Sequence, residues 1–327
     1  MKNEFLTPAE AAERIRAGAV MTIAGDEALM AQLPQGKWIG GSTVYFMTQA
    51  GGKVDRERLF CSTLPEGSTA NVRHLGVADL PGLADGYAAG GITLIIIPAF
   101  SQAHARFAED GATYPRLFDQ PLLGWISGVH LDDIGSVAPS VFDGATGTRH
   151  HEGAVLLHVA LPQGAQPRLD IVNLFSQSED PAQTVTFPEG GFAVKKAVIN
   201  GAEVDFADYV TQHGFDTRLP LVADYAGANI NVSFRAVDSV AHEVQFYAPV
   251  FPGVEYRLAA PQGDYVASFA AQAGTGGERM LSCNCILNYL YGELEGRSTG
   301  GFTGPVTFGE VAYVLLNQTL VKLDVAA

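Results

Sequence analysis

The chain has 327 residues, two to three times the usual single-domain length, so it can bury a core of normal size and two lobes are expected. Apolar residues make up 47% against 17% charged, which excludes a disordered chain, and the length excludes a disulfide-stapled miniprotein. Twenty Lys and Arg face 35 Asp and Glu, a net charge of −15 whose field repels phosphate backbones and anionic membrane surfaces; neither nucleic acid nor membrane is an expected partner.

Met1-Lys2-Asn3-Glu4 lacks the apolar core of a signal peptide, and no apolar run approaches the roughly 20 residues that cross a bilayer. Three cysteines, an odd number, agree with a reducing compartment. The expectation is a soluble, cytoplasmic protein.

Thr7-Pro8-Ala9-Glu10 predicts a helix start, with a hydroxyl cap, Pro in the first turn and Glu at the capping-box position, and Gly18 predicts its end. Segment 38–46 reads as a strand meeting a small-residue turn at Gly40-Gly41-Ser42-Thr43, followed by a turn at Gly51-Gly52. The β-branched run 92–97 predicts a strand covered on both faces. Ser101 then caps a helix that stops near Gly111, and strands follow at 121–129 and 154–161. Strand-like segments dominate from 170 to 250, helix signals stay sparse until 265, and a helix from Ser282 would place Cys283, Leu287, Leu290 and Leu294 on one face. A strand pair, 311–316 and 319–325, closes the chain. The class is α/β in the mixed α+β sense: strand-rich mixed sheets with short helices in two lobes, 1–190 and 191–327, divided at Pro188-Glu189-Gly190-Gly191.

Nucleotide signatures fail: there is no P-loop, and the glycines at 274, 276 and 277 lack dinucleotide spacing. Gly40-Gly41-Ser42-Thr43-Val44 departs from a nucleophile elbow at its fifth residue, so Ser42 reads as a turn or ligand-binding hydroxyl. Cys283-Asn284-Cys285 would project its thiols about 200° apart on a helix, which disfavours chelation. At a helix N-terminus Cys283 would instead become a reactive thiolate, and hydrolase or isomerase chemistry is the rival reading; two small buried packing residues are the bland one. No pair of the eight histidines has metal-ligand spacing. His158 and His242 share apolar strand faces, as buried hydrogen-bonded residues or as haem ligands. Arg235 aligns with Asn229, Asn231 and Ser233, a set able to grip a carboxylate or to form a wet sheet face. Asn317 and Gln318, set between leucines, need partners if buried.

Leu281-Ser282-Cys283, Gly301-Phe302 leading to Phe308-Gly309-Glu310-Val311, and Leu316-Asn317-Gln318-Thr319-Leu320 occur in this order, and Gly41-Ser42-Thr43 lies near the N-terminus. This arrangement resembles the FIST (F-box and intracellular signal transduction) sensory family, with an N-terminal and a C-terminal part. The chain departs from the family's pattern in continuing Asn284-Cys285-Ile286 where an Arg usually follows, and in its expanded interval 303–307. The resemblance implies a small-ligand sensor that signals through a separate partner. Amino acids are proposed ligands for many members, and haem, sensing nitric oxide, for some stand-alone ones. The expected pocket lies near the lobe junction. It takes hydroxyls from Ser42 and Thr43, amides from Asn317 and Gln318, Glu310 as a charge or anchor, and walls from Phe302 and Phe308, with Gly41, Arg235, Ser282 and Cys283 nearby.

Overall fold

The structure, a computed structural model, describes residues 1–179, 184–225, 227–273 and 280–326. The glycine cluster at 274–277 lies outside them. The fold is mixed α+β. It divides into two compact units: Met1–Val172 with Phe269–Leu315 and Thr319–Ala327, and Asn173–Ser268 with Leu316–Gln318. The expected division at 190 therefore falls inside the second unit, because segment 191–194 pairs with Glu243–Val250 and 184–186 with 256–257.

Among the described residues, the first unit holds three six-stranded sheets. Each contains one pair of parallel strands joined through a helix. Met21–Gly25 pairs with Trp38–Ser42 across helix Glu27–Met30. Ile92–Pro98 pairs with Leu122–Ser127 across helix Gln102–Asp110. Leu281–Cys285 pairs with Gly304–Thr307 across helix Ile286–Tyr291. Such parallel pairs need a crossover, and a helix packed on the sheet is its usual form. All seven residues of Ile92–Pro98 are buried, as the β-branched run predicts. The first helix, Pro8–Arg16, carries the predicted reciprocal cap: Glu10 N–H donates to Thr7 Oγ1 while Glu10 Oε2 accepts from Thr7 N–H, a device worth about 1 kcal/mol.

Several expectations need correction. Leu281–Cys285 is a strand, not the start of a helix: its residues, poor helix formers in the middle, are all buried between Thr319–Ala326 and Gly304–Thr307, which satisfy its backbone. The helix begins at Ile286 and leaves Leu290 40% exposed. Gly51–Val54 is a strand paired with Tyr45–Thr48, so the turn lies at 49–50. The last strands do not pair with one another: Glu310–Ala312 joins Leu122–Ser127, and Thr319–Ala326 joins Leu281–Cys285.

The second unit has a six-stranded and a three-stranded sheet, with a helix, Phe206–Gln212, capped by Asp205. Its seven residues give too short a periodic signal to stand out in the sequence. Phe187, Phe206, Phe234, Phe246 and Tyr256 form the centre of its core, with Phe187 edge-on to Phe206 at 5.3 Å between centroids. Burying side chains of this size stabilises a unit by about 1.5–3 kcal/mol each. Among the described residues, no helix is long and apolar enough to cross a membrane.

Candidate functional site

The C-terminal ends of the three parallel pairs are tied together. Ser42 Oγ donates to the Gly128 carbonyl at 2.7 Å, Gly128 N–H returns to the Ser42 carbonyl at 2.7 Å, and Ser140 N–H donates to Ser42 Oγ at 2.9 Å. Thr43 Oγ1 donates to the Val306 carbonyl at 2.7 Å, and Phe308 N–H to the Ile126 carbonyl at 3.0 Å. The first sheet is thus joined to the other two, and those two to each other. In open α/β sheets the crevice beyond the carboxyl ends of parallel strands is where ligands bind.

At this edge the Tyr45 ring stacks on His130, centroids 5.4 Å apart and planes 17° apart, and its hydroxyl accepts from Leu131 N–H. Tyr289 meets Tyr45 edge-on at 5.5 Å. Arg56 reaches Asp133 at 2.8 Å and Asp26 at 3.8 Å, and Arg149 reaches Glu27 at 3.3 Å. Asp26 and Glu27 directly follow strand Met21–Gly25, so charge collects where that parallel pair ends. Phe308 lies against Gly128, where any Cβ would overlap its ring, and packs edge-on to the exposed Phe100 at 6.0 Å.

Behind the edge lies a buried polar cluster. Glu310 is fully buried; its Oε2 accepts from Thr319 Oγ1 at 2.8 Å and its Oε1 from Thr307 Oγ1 at 3.4 Å. Burial pushes this carboxyl well above its ordinary range despite the hydrogen bonds from Thr319, Thr307 and Cys285. Asn288 Nδ2 donates to Asn284 Oδ1 and to the Thr319 carbonyl, at 2.9 and 3.0 Å. Asn284 Nδ2, Ser127 Oγ, Trp125 Nε1 and Tyr289 OH are buried without a hydrogen-bond partner among the described residues. Buried polar groups are ordinarily satisfied; Ser127 and Asn284 lie at the C-terminal ends of parallel strands, and Tyr289 lies in the helix that follows the strand of Asn284.

A family of unknown function, DUF6976, has a model that matches residues 6–326. The chain belongs to that family. No curated protein matches it.

In this DUF6976 chain most residues singled out from the sequence hold the framework. Ser42 and Thr43, with Gly41, lie in the strand-end junction with their hydroxyls engaged. Ser282 Oγ donates to the Thr303 carbonyl at 3.0 Å, and Phe302 is buried beneath the Lys322 ammonium, 5.3 Å from its ring. Cys283 Sγ donates to the Gly124 carbonyl at 3.3 Å. Burial, and then the neighbouring Glu310 and Cys285, push its thiol well above the ordinary value, and it sits within a strand rather than at a helix N-terminus; the activation that a nucleophilic role requires is missing. Of the predicted residues in the first unit, the structure brings Cys283 and Glu310 into one cluster and sets Phe308 on the strand-end edge.

In the second unit, Asn317 Oδ1 accepts from Ser233 N–H at 3.0 Å and Ser233 Oγ at 2.6 Å, and Gln318 Oε1 accepts from Ser233 Oγ at 2.5 Å. Asn231 Nδ2 donates to the Asn317 carbonyl at 3.1 Å and to Asn173 Oδ1 at 3.0 Å. These amides form a buried polar network, in which Asn317 Nδ2 has no hydrogen-bond partner among the described residues. Arg235 does not join it: Ser233 interrupts the strand, a bulge follows, and Arg235 is exposed.

The two histidines proposed for haem lie in different settings. His158 is buried, with Nδ1 2.9 Å from Thr93 Oγ1, and Nε2 faces Gly86 so closely that any Cβ there would overlap it. Burial lowers this imidazole to about 4 and leaves no approach for an iron. His242 is not on an apolar strand face: it lies in a turn at φ +52°, before strand Glu243–Val250, with a half-exposed ring.

Tyr45, His130, Tyr289 and Arg56 escaped sequence reasoning, since they come from separate segments and carry no motif. The one signal for His130 was its place just beyond the apolar stretch that ends at Val129.

Proposed function

We propose that this chain is a cytoplasmic small-ligand-binding sensory protein that passes its signal to a separate partner, with its ligand site at the joined strand ends of the first unit. One observation carries the reading. Ser127 Oγ and Asn284 Nδ2, buried and without a partner among the described residues, lie at the carboxyl ends of two parallel strands, and Tyr289, whose buried hydroxyl is likewise unpartnered, meets Tyr45 of the Tyr45–His130 stack edge-on. The resemblance to FIST sensory modules supports the same reading, and its Cys283 and Glu310 elements fall in the cluster behind this edge.

Arg56 suits an anionic group on the ligand, and the aromatic stack suits an apolar or planar portion. A thermal-shift screen of amino acids and small carboxylic acids on wild-type protein, Arg56→Ala and His130→Ala tests this. A ligand that raises the wild-type melting temperature should lose its effect in both variants. A shift that persists in both would move the site elsewhere, and no shift from any compound would remove the sensory reading.

A further inference from the structure

The second unit carries a mixed nitrogen and oxygen donor set that the sensory reading does not use. Asp205 Oδ2 lies 3.1 Å from His242 Nδ1, Asp208 Oδ2 lies 3.6 Å from the same nitrogen, and the three donor atoms are all within 4.8 Å of one another. We propose that Asp205, Asp208 and His242 bind a divalent transition-metal ion of the zinc type.

Three arguments support this. Metal–donor distances of about 2.0–2.2 Å put neighbouring donors roughly 3–3.5 Å apart, the spacing seen here around the imidazole nitrogen. The donors also sit on packed elements. Asp205 caps helix Phe206–Gln212 through Oδ1, which accepts from Asp208 N–H at 3.1 Å and turns Oδ2 toward the histidine. Phe206 and Val210 of that helix, and Val244 and Phe246 of the strand after His242, share one core, so the three donors are held in place before any ion arrives. Finally, imidazole with two carboxylates is a borderline donor set: it suits Zn²⁺ or Co²⁺, whereas Mg²⁺ and Ca²⁺ prefer all-oxygen shells. Three protein donors leave further positions for solvent, as in an open rather than a closed site.

A protonated imidazole between two carboxylates is the competing account of the same geometry, and the test separates the two. Full-length, tag-free protein, stripped with chelator, is titrated with Zn²⁺ by calorimetry and with Co²⁺ by visible absorption, with Mg²⁺ as control. The expected result is one Zn²⁺ per chain with micromolar or tighter affinity, a Co²⁺ d–d band, and no comparable Mg²⁺ binding. Asp205→Asn keeps the helix cap, because Asn caps as well as Asp, yet removes the charged donor. It and His242→Ala should each weaken Zn²⁺ binding by more than about tenfold, with circular dichroism unchanged. Absence of saturable Zn²⁺ binding up to millimolar metal would overturn the proposal, as would Zn²⁺ binding unaltered in both variants or Mg²⁺ binding as tight as Zn²⁺. Because the site shares no residue with the strand-end edge of the first unit, its failure leaves the ligand screen unaffected.

Discussion

Ser42 and Gly128 are bonded to each other twice, hydroxyl to carbonyl and amide to carbonyl, both at 2.7 Å, although 86 residues separate them. The pair fastens the end of one parallel strand pair to the end of another, and the same hydroxyl accepts from Ser140 N–H. A buried hydroxyl that both donates and accepts in this way serves the framework.

Ser42→Ala should therefore lower stability rather than remove an activity. It strands a buried carbonyl at Gly128 and a buried N–H at Ser140, at a cost of about 1–3 kcal/mol. Denaturant unfolding monitored by Trp fluorescence measures this; a change below about 0.5 kcal/mol would show that the hydroxyl is not a structural tie.

Glu310 gives a pH prediction with a definite sign. Burial raises its folded pKa above the unfolded carboxyl value of about 4.3, so the folded state holds an extra proton between the two values. The stability from this group is complete below about pH 4.3 and is lost as pH rises toward and through the folded value. Glu310→Gln, which keeps the shape and the neutral state, should flatten that slope and gain on wild type as pH rises. Denaturation midpoints at several pH values between about 5 and 9 decide it; parallel curves for the two proteins would mean that folding does not raise the pKa of Glu310.

All three cysteines are free and buried. Burial pushes Cys61 up to about 12 and Cys283 well above the ordinary thiol value. Alkylation of the native protein at neutral pH should be slow, with three thiols appearing only in strong denaturant. A single thiol reacting within seconds in the native state would revive a nucleophilic Cys283.

Asn317→Ala should destabilise the second unit by roughly 1–3 kcal/mol, because Ser233 N–H loses its acceptor and Ser233 Oγ keeps only Gln318 Oε1. Hydrogen exchange across strands Ala228–Val232 and Phe234–Asp238 reports the loss locally. Unchanged protection combined with loss of a ligand-induced thermal shift would reassign Asn317 from the framework to a binding role.

Local chemistry made the first helix legible, since Thr7, Pro8 and Glu10 sit at fixed offsets within one turn, and Ile92–Pro98 was legible because a continuous β-branched run suits a strand buried on both faces. The need of Asn317 and Gln318 for partners could also be read, but not Ser233, which supplies them from 84 and 85 residues away. Segment 281–285 misled because apolar spacing at three and four residues fits a helix, whereas flanking strands on both sides decide for a sheet. His242 misled because strand alternation takes no account of a left-handed turn, and that turn is what sets its ring beside Asp205 and Asp208. Composition and local pattern thus determined the class and many of the elements. The threefold recurrence of a helix-linked parallel pair, and the edge where those pairs end, were decided by long-range hydrogen bonds such as Ser42 to Gly128 and Thr43 to Val306, whose partners no local pattern encodes.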